Sequence, residues 1–164
     1  TAELDAHIAD YIAHKADNVT DADGVHGLNI QEGVWTPTLA GSSTEGAYTY
    51  NTEINIGRYY KIGNLVFACA TITVTGVTSA GAGNATIKGL PYNVGGAWPA
   101  TAAGTGSGSI NALSGAAGLT LIGIYGNPAV GMYKSDGTEL PISVCNSALP
   151  GSIQIGFSIV YYTS

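Results

Sequence analysis

From Gly33 onward the chain stops repeating at helical spacing and alternates every second residue, and this change of period constrains the fold most. In residues 152–162, Ile153, Ile155, Phe157, Ile159 and Tyr161 fall on one face of an extended strand. In residues 65–74, Val66, Ala68, Ala70, Ile72 and Val74 share one face, with Leu65, Phe67 and Cys69 on the other. Both faces begin apolar, which places this strand at the centre of a sheet; Thr71, Thr73 and Thr75 then turn one face polar. Gly63-Asn64 separates it from residues 58–62, a hairpin turn of the kind with Gly first. Shorter strands are expected at 85–90, closed by Pro91, and at 119–125. Residues 129–134 and 138–144 read as a hairpin around Ser135-Asp136-Gly137. Between Gly95 and Gly118 the composition collapses to Gly, Ala, Ser and Thr, read as loop, one strand at 109–113, and loop. Short strands with regular turns give an all-β class, a β-sandwich or jelly roll over residues 33–164.

Residues 2–18 carry the other period. Leu4, Ile8, Tyr11, Lys15 and Asn18 recur at spacings of four and three, Ile12 and Val19 widen the stripe, and Thr1 can cap the helix. Two heptads are too short for an isolated coiled coil, so the helix either continues upstream or docks on the following domain. Leu4, Ile8, Tyr11 and Ile12 are the candidate contacts of an α-helical stalk between copies of the chain. Turn-forming residues follow, so 1–32 reads as helical stalk end and joint, and 33–164 as a β-sandwich head. Seven of the eleven carboxylates (Glu3, Asp5, Asp10, Asp17, Asp21, Asp23 and Glu32) lie in that first segment against Lys15 alone, leaving the head nearly neutral. Five basic residues scattered over 164 build no phosphate-tracking patch, which argues against nucleic acid. No apolar run approaches the ~18 residues that span a membrane, so membrane insertion is not expected. Cys69 and Cys145 lie far apart in apolar runs, as buried free thiols or as one bridge.

Three groups of residues, in order, carry a resemblance: Gly33-Val34-Trp35-Thr36-Pro37-Thr38-Leu39 with Tyr48 after it; Gly57-Arg58-Tyr59-Tyr60-Lys61-Ile62-Gly63-Asn64-Leu65-Val66; and Gly89-Leu90-Pro91. Together they resemble the head domain at the end of bacteriophage and prophage tail fibres. His14-Lys15-Ala16-Asp17 and Asp23-Gly24-Val25-His26-Gly27-Leu28 are similar to the stalk-to-head joint of such fibres. The match covers residues 7–91; beyond them it rests on strand pattern. The resemblance implies a homotrimer at the distal end of a virion tail, attached to upstream fibre or baseplate proteins and recognising a receptor on the bacterial surface. It implies no catalytic residue and no cofactor.

Candidate chemistry is sparse. His7, Asp10 and His14 share a helix face, but i to i+7 is about 10 Å along the axis, too far to share one ion easily. A solvated stalk face is the plainer reading, and no metal is expected. A glycan-cleaving site needs two carboxylates about 5–9.5 Å apart, and the head offers Glu45, Glu53, Asp136 and Glu139, of which none is marked as one of a pair. Histidine is absent after His26, which removes Ser-His-Asp chemistry from the head. Gly104-Thr105-Gly106-Ser107-Gly108 resembles a phosphate loop but lacks the following Lys, and reads as a flexible connection. Ten Tyr and two Trp against two Phe favour surface contacts to sugars. Trp98, in Gly95-Gly96-Ala97-Trp98-Pro99, is the first candidate for receptor or glycan binding, against a role in the core or a subunit interface. Tyr92, Tyr125 and Tyr133 follow. Trp35, inside the first strand, is expected in the core. The leading expectation is a non-catalytic glycan-binding head; the alternatives are a structural fibre tip or surface decoration, and a tailspike-like depolymerase.

Overall fold

The computed structural model describes residues 4–5, 30–95, 104–111, 118–148 and 151–163. Among these, eleven strands and one short helix follow in the order β1 (Ile30–Trp35), β2 (Thr38–Gly41), β3 (Ala47–Tyr50), β4 (Ile56–Ile62), β5 (Leu65–Ser79), β6 (Ala85–Lys88), β7 (Val94–Gly95), β8 (Gly104–Ile110), β9 (Leu119–Gly123), β10 (Ala129–Lys134), α1 (Ile142–Ala148) and β11 (Ile153–Thr163). The all-β expectation holds. The strands join in one antiparallel sheet of order β1-β4-β5-β11-β8-β9-β10-β6-β2, with β3 added to β5 and β7 to β11. The sheet's two end strands, β1 and β2, are consecutive in sequence and separated only by Thr36-Pro37. Three Cα steps reach at most about 11 Å, so the sheet has to curl until its ends nearly meet. The result is a curled half-barrel.

The inner face of the curl is the core. β11 buries Ile153, Ile155, Phe157, Ile159 and Tyr161, and β5 buries Val66, Ala68, Ala70, Ile72 and Val74, each as the alternation requires. Each buried Val, Ile or Phe among them contributes about 1.5–3 kcal/mol relative to exposure. Trp35 is buried among them, edge-on to Phe157 at 6.1 Å between ring centroids. In the β1–β4 register Gly33 faces Tyr59 and Trp35 faces Gly57. A Cβ on Gly33 would lie 2.6 Å from the Tyr59 ring, and one on Gly57 would overlap the Trp35 indole. Each glycine thus makes room for the aromatic across from it, which accounts for four of the motif residues. Gly63, at φ 54°, makes the β4–β5 turn as expected.

Three expectations are corrected. The glycine run 104–108 is strand β8, paired along its length with β11. Its glycines face inward: a Cβ on Gly106 would sit 2.8 Å from the Ile159 Cα, and one on Gly108 2.9 Å from the Phe157 Cβ. The large side chains of β11 fill the space that β8 leaves empty. Second, residues 138–144 are not a strand. After the turn at Ser135-Asp136-Gly137 only isolated bridges form, Tyr133 with Glu139 and Asn84 with Pro141, and helix α1 starts beyond Pro141. Proline has no amide hydrogen to give a ladder and fits the first turn of a helix, and Ile142 and Cys145, three apart, point into the core. Third, β5 continues five residues past Val74 to pair with β3 through two register shifts. Both cysteines are free thiols, Cys145 buried and Cys69 half-buried. Leu4 and Asp5 are helical; Ile8, Tyr11, Ile12, His7, Asp10, His14 and Trp98 lie outside the described residues. Among the described residues no cluster of His, Cys, Asp and Glu could hold a metal ion.

Candidate binding surfaces

The described tyrosines nominated from sequence, Tyr92, Tyr125 and Tyr133, differ in their contacts. Tyr92 lies against Tyr59, ring centroids 5.5 Å apart and nearly perpendicular, with the Lys61 ammonium 5.3 Å from its ring centre. Its hydroxyl donates to Gln31 Oε1 at 2.9 Å. The neighbouring Tyr59 hydroxyl and then burial raise its pKa. Tyr92 is therefore engaged in closing the curl. Its loop reaches from β1 and β4 to the β9–β10 turn, where the Gly89 and Leu90 amides donate to the Pro128 carbonyl and Gly126 donates to that of Val94. Tyr133, at the far end of β10, donates to Glu139 Oε1 at 3.1 Å; burial and then this carboxylate raise its pKa.

Tyr125 differs. It stands on the β9–β10 turn, 58% exposed. Its carbonyl accepts from Asn127 Nδ2 at 3.2 Å, which fixes the turn. Beside it a groove of about 500 Å³ is lined by Ser42, Thr86, Lys88, Ile124, Asn127 and Pro128 among others. Lys88, one of the lining residues, forms an ion pair with Glu45. Sequence pattern ranked Tyr125 below Trp98 and missed the groove, because its walls come from β2, β6 and the β9–β10 turn, distant in sequence and adjacent only through the curl.

The described carboxylates of the head have local partners in three of four cases. Glu45 holds Lys88, Asp136 accepts from the Thr138 amide, and Glu139 accepts from Tyr133 and Asn84. Lys134 reaches Asp136 at 3.7 Å. The bonds from Thr138 hold the Asp136 pKa below its ordinary value.

A second surface lies on the outside of the curl. The registers of β1, β4, β5 and β11 align Ile30, Ile62, Leu65 and Tyr162 in one row and Glu32, Tyr60, Phe67 and Val160 in the next. A third row holds Val34, Arg58, Cys69 and Ser158. Val34, Ile56, Tyr60, Ile62, Leu65, Phe67, Val160 and Tyr162 are between 38% and 64% exposed. The two apolar faces of residues 65–69 were the signal in the sequence; they mark a central strand, as expected, but one face is open.

No family model and no curated protein matches the chain. Among solved structures it is similar to the Dettilon tailspike protein, with a TM-score of 0.54 at 18% identity over 82% of this chain. The chain spans 24% of that protein's length. The likeness establishes a shared fold.

Proposed function

We propose that this chain is the receptor-recognising head of a phage tail fibre or tailspike and binds a bacterial surface glycan without cleaving it. The observation that carries the reading is Tyr125, an exposed ring on the β9–β10 turn, the same turn that supplies Ile124, Asn127 and Pro128 to a groove with Ser42, Thr86 and Lys88. Sugars stack their C–H faces on such rings and bond their hydroxyls to neighbouring amide and hydroxyl groups. The fold shared with a phage tailspike supports a place in the virion tail, acting at the host surface. The local partners held by Glu45, Asp136 and Glu139 favour binding over hydrolysis. In this reading the head works as a homotrimer, where three weak sites gain by avidity, and is carried by upstream fibre or baseplate proteins. The β-sandwich or jelly-roll description and the helical stalk over residues 1–32 belong to the same proposal.

The test is saturable binding of the labelled chain to a panel of bacteria, with purified wall polysaccharide as competitor. Strain-selective, competed binding that weakens about tenfold in Tyr125→Ala, the equivalent of 1.4 kcal/mol, is the expected result. Binding that is strain-selective but unchanged in both Tyr125→Ala and Asn127→Ala moves the site elsewhere. Shortening of the polysaccharide on incubation would replace recognition by depolymerisation.

A further inference from the structure

We infer that the outer face of β1, β4, β5 and β11 is the surface through which copies of this chain associate. The inference deepens the trimer reading by naming its contact surface. Eight large apolar side chains on one sheet face expose roughly 700 Å², beyond the patch of about 300–600 Å² usual on a monomer and close to the ~800 Å² each partner buries in a stable interface. The registers set these side chains in rows across β1, β4, β5 and β11, with β1 and β11 at opposite margins of the face.

Charge and shape point to a second copy as the occupant. The face carries one anion, Glu32, and one cation, Arg58, both exposed and without an ion pair among the described residues. In a closed ring the Glu32 of one copy can meet the Arg58 of the next, so each copy satisfies a charge of its neighbour. A cleft of about 280 Å³ opens between Val34, Arg58 and Tyr60 at the β1–β4 margin, while Tyr162, 60% exposed, projects at the β11 margin. Each copy offers a knob and a hole. The chain's own first 29 residues are the competing occupant. Their charge is strongly acidic, which a face already holding Glu32 does not attract, and Leu4, of the apolar stripe, is 57% exposed rather than seated on it.

The experiment is sedimentation of the whole 164-residue chain over a range of concentrations, with alkylation of Cys69 as a local probe. Cys69 lies in the third row of the face, and Cys145 is buried and stays silent. The expected result is a mass above 16.6 kDa and a Cys69 rate that falls as concentration rises. Tyr162→Asp should weaken association about 100-fold and restore the rate, because it places a charge in the contact. Phe67→Asp, at the centre, should do the same; Tyr162→Asp stands alone if Phe67→Asp does not fold. An oligomer whose mass and Cys69 rate ignore Tyr162→Asp overturns the inference and leaves the trimer standing. A dimer dispersed by Tyr162→Asp keeps the face and removes the trimer. A monomer at every concentration overturns both, and Cys69 protected in that monomer assigns the face to the chain's own N-terminal segment.

Discussion

A methyl group on Gly106 would collide with the Ser158 carbonyl oxygen and lie 2.8 Å from the Ile159 Cα, whereas one on Gly63 would meet no atom within 4 Å. Gly63 is needed for its φ of 54°, Gly106 for its lack of volume. The two requirements separate by substitution. Gly106→Ala forces β8 away from β11 and should lower unfolding free energy by about 1–3 kcal/mol. Gly63→Ala should lower it by about 1–2 kcal/mol, through backbone strain alone, and Gly63→Asn by less, because Asn enters the left-handed region more readily. Asn at 106 has no such relief. Urea midpoints of the four variants check the ordering. A second residue-scale expectation concerns alkali. Burial pushes the Cys145 thiol up to about 11 from 9.0 and the Tyr161 hydroxyl up to about 12 from 10.0. Both folded values exceed the unfolded ones, so the fold favours the neutral forms. Their contribution is complete below the unfolded values and is lost as pH rises through the folded ones. Stability should therefore decline from about 9 towards 12, and Cys145→Ser should flatten the first part of that decline. A Cys145→Ser curve parallel to the parent's would exclude this thiol as a cause.

At the scale of elements, the strands whose large side chains alternate were legible and those defined by what they lack were not. β11 was readable to within a residue because Ile153 to Tyr161 alternate without interruption. β8 alternates as strictly, but between glycine and a hydroxyl residue, and glycine counts as a breaker until the bulky neighbour that excludes its side chain is known. Helix α1 was hidden for a different reason. Seven residues hold too few turns for a helical period, and Ile142, Val144 and Cys145 fit a strand equally well. The groove beside Tyr125 lay beyond reach altogether, since it depends on which strands the curl makes neighbours. Tertiary contacts also hold α1 in place. Asn146 accepts from the Tyr48 hydroxyl at 2.9 Å and donates to the Gly81 carbonyl at 3.1 Å, while the Gly81 amide donates back to Tyr48 at 3.2 Å. Asn146→Ala leaves the Gly81 carbonyl and the tyrosine hydroxyl short of a partner. Its expected cost is about 1–3 kcal/mol, with faster hydrogen exchange at the Gly81 amide. Tyr48→Phe should speed exchange at the same amide, because all three groups belong to one network. Slow exchange in both variants would show that α1 and the residue 81 loop are held independently.

The whole molecule is organised around its last strand. β11 lies inside the sheet, between β5 and β8, although every other described strand precedes it in sequence. Without it, β1, β4, β5 and β3 form one half and β8, β9, β10, β6 and β2 the other. The core would then lose Phe157, Ile159 and Tyr161 from the middle rather than from a margin. The pairing of β11 with β5 sets Tyr161 against Val66 and Ile155 against Ile72, contacts between distant parts of the chain. The entropy of closing such loops precedes the gain from the contacts they make, which places folding in the millisecond-to-second range of non-local β-proteins rather than the microseconds of helical bundles. Neither half can bury its inner face alone, because the curl that encloses the core requires both and the Thr36-Pro37 link between β1 and β2 already ties their far edges together. Refolding should accordingly be a single slow phase, with far-ultraviolet circular dichroism and aromatic fluorescence changing together. A chain ending before Ile153 should show no cooperative unfolding. Early gain of strand signal ahead of the fluorescence change, or a cooperative transition in the shortened chain, would mean that one half is a folding unit and that β11 joins a sheet already formed.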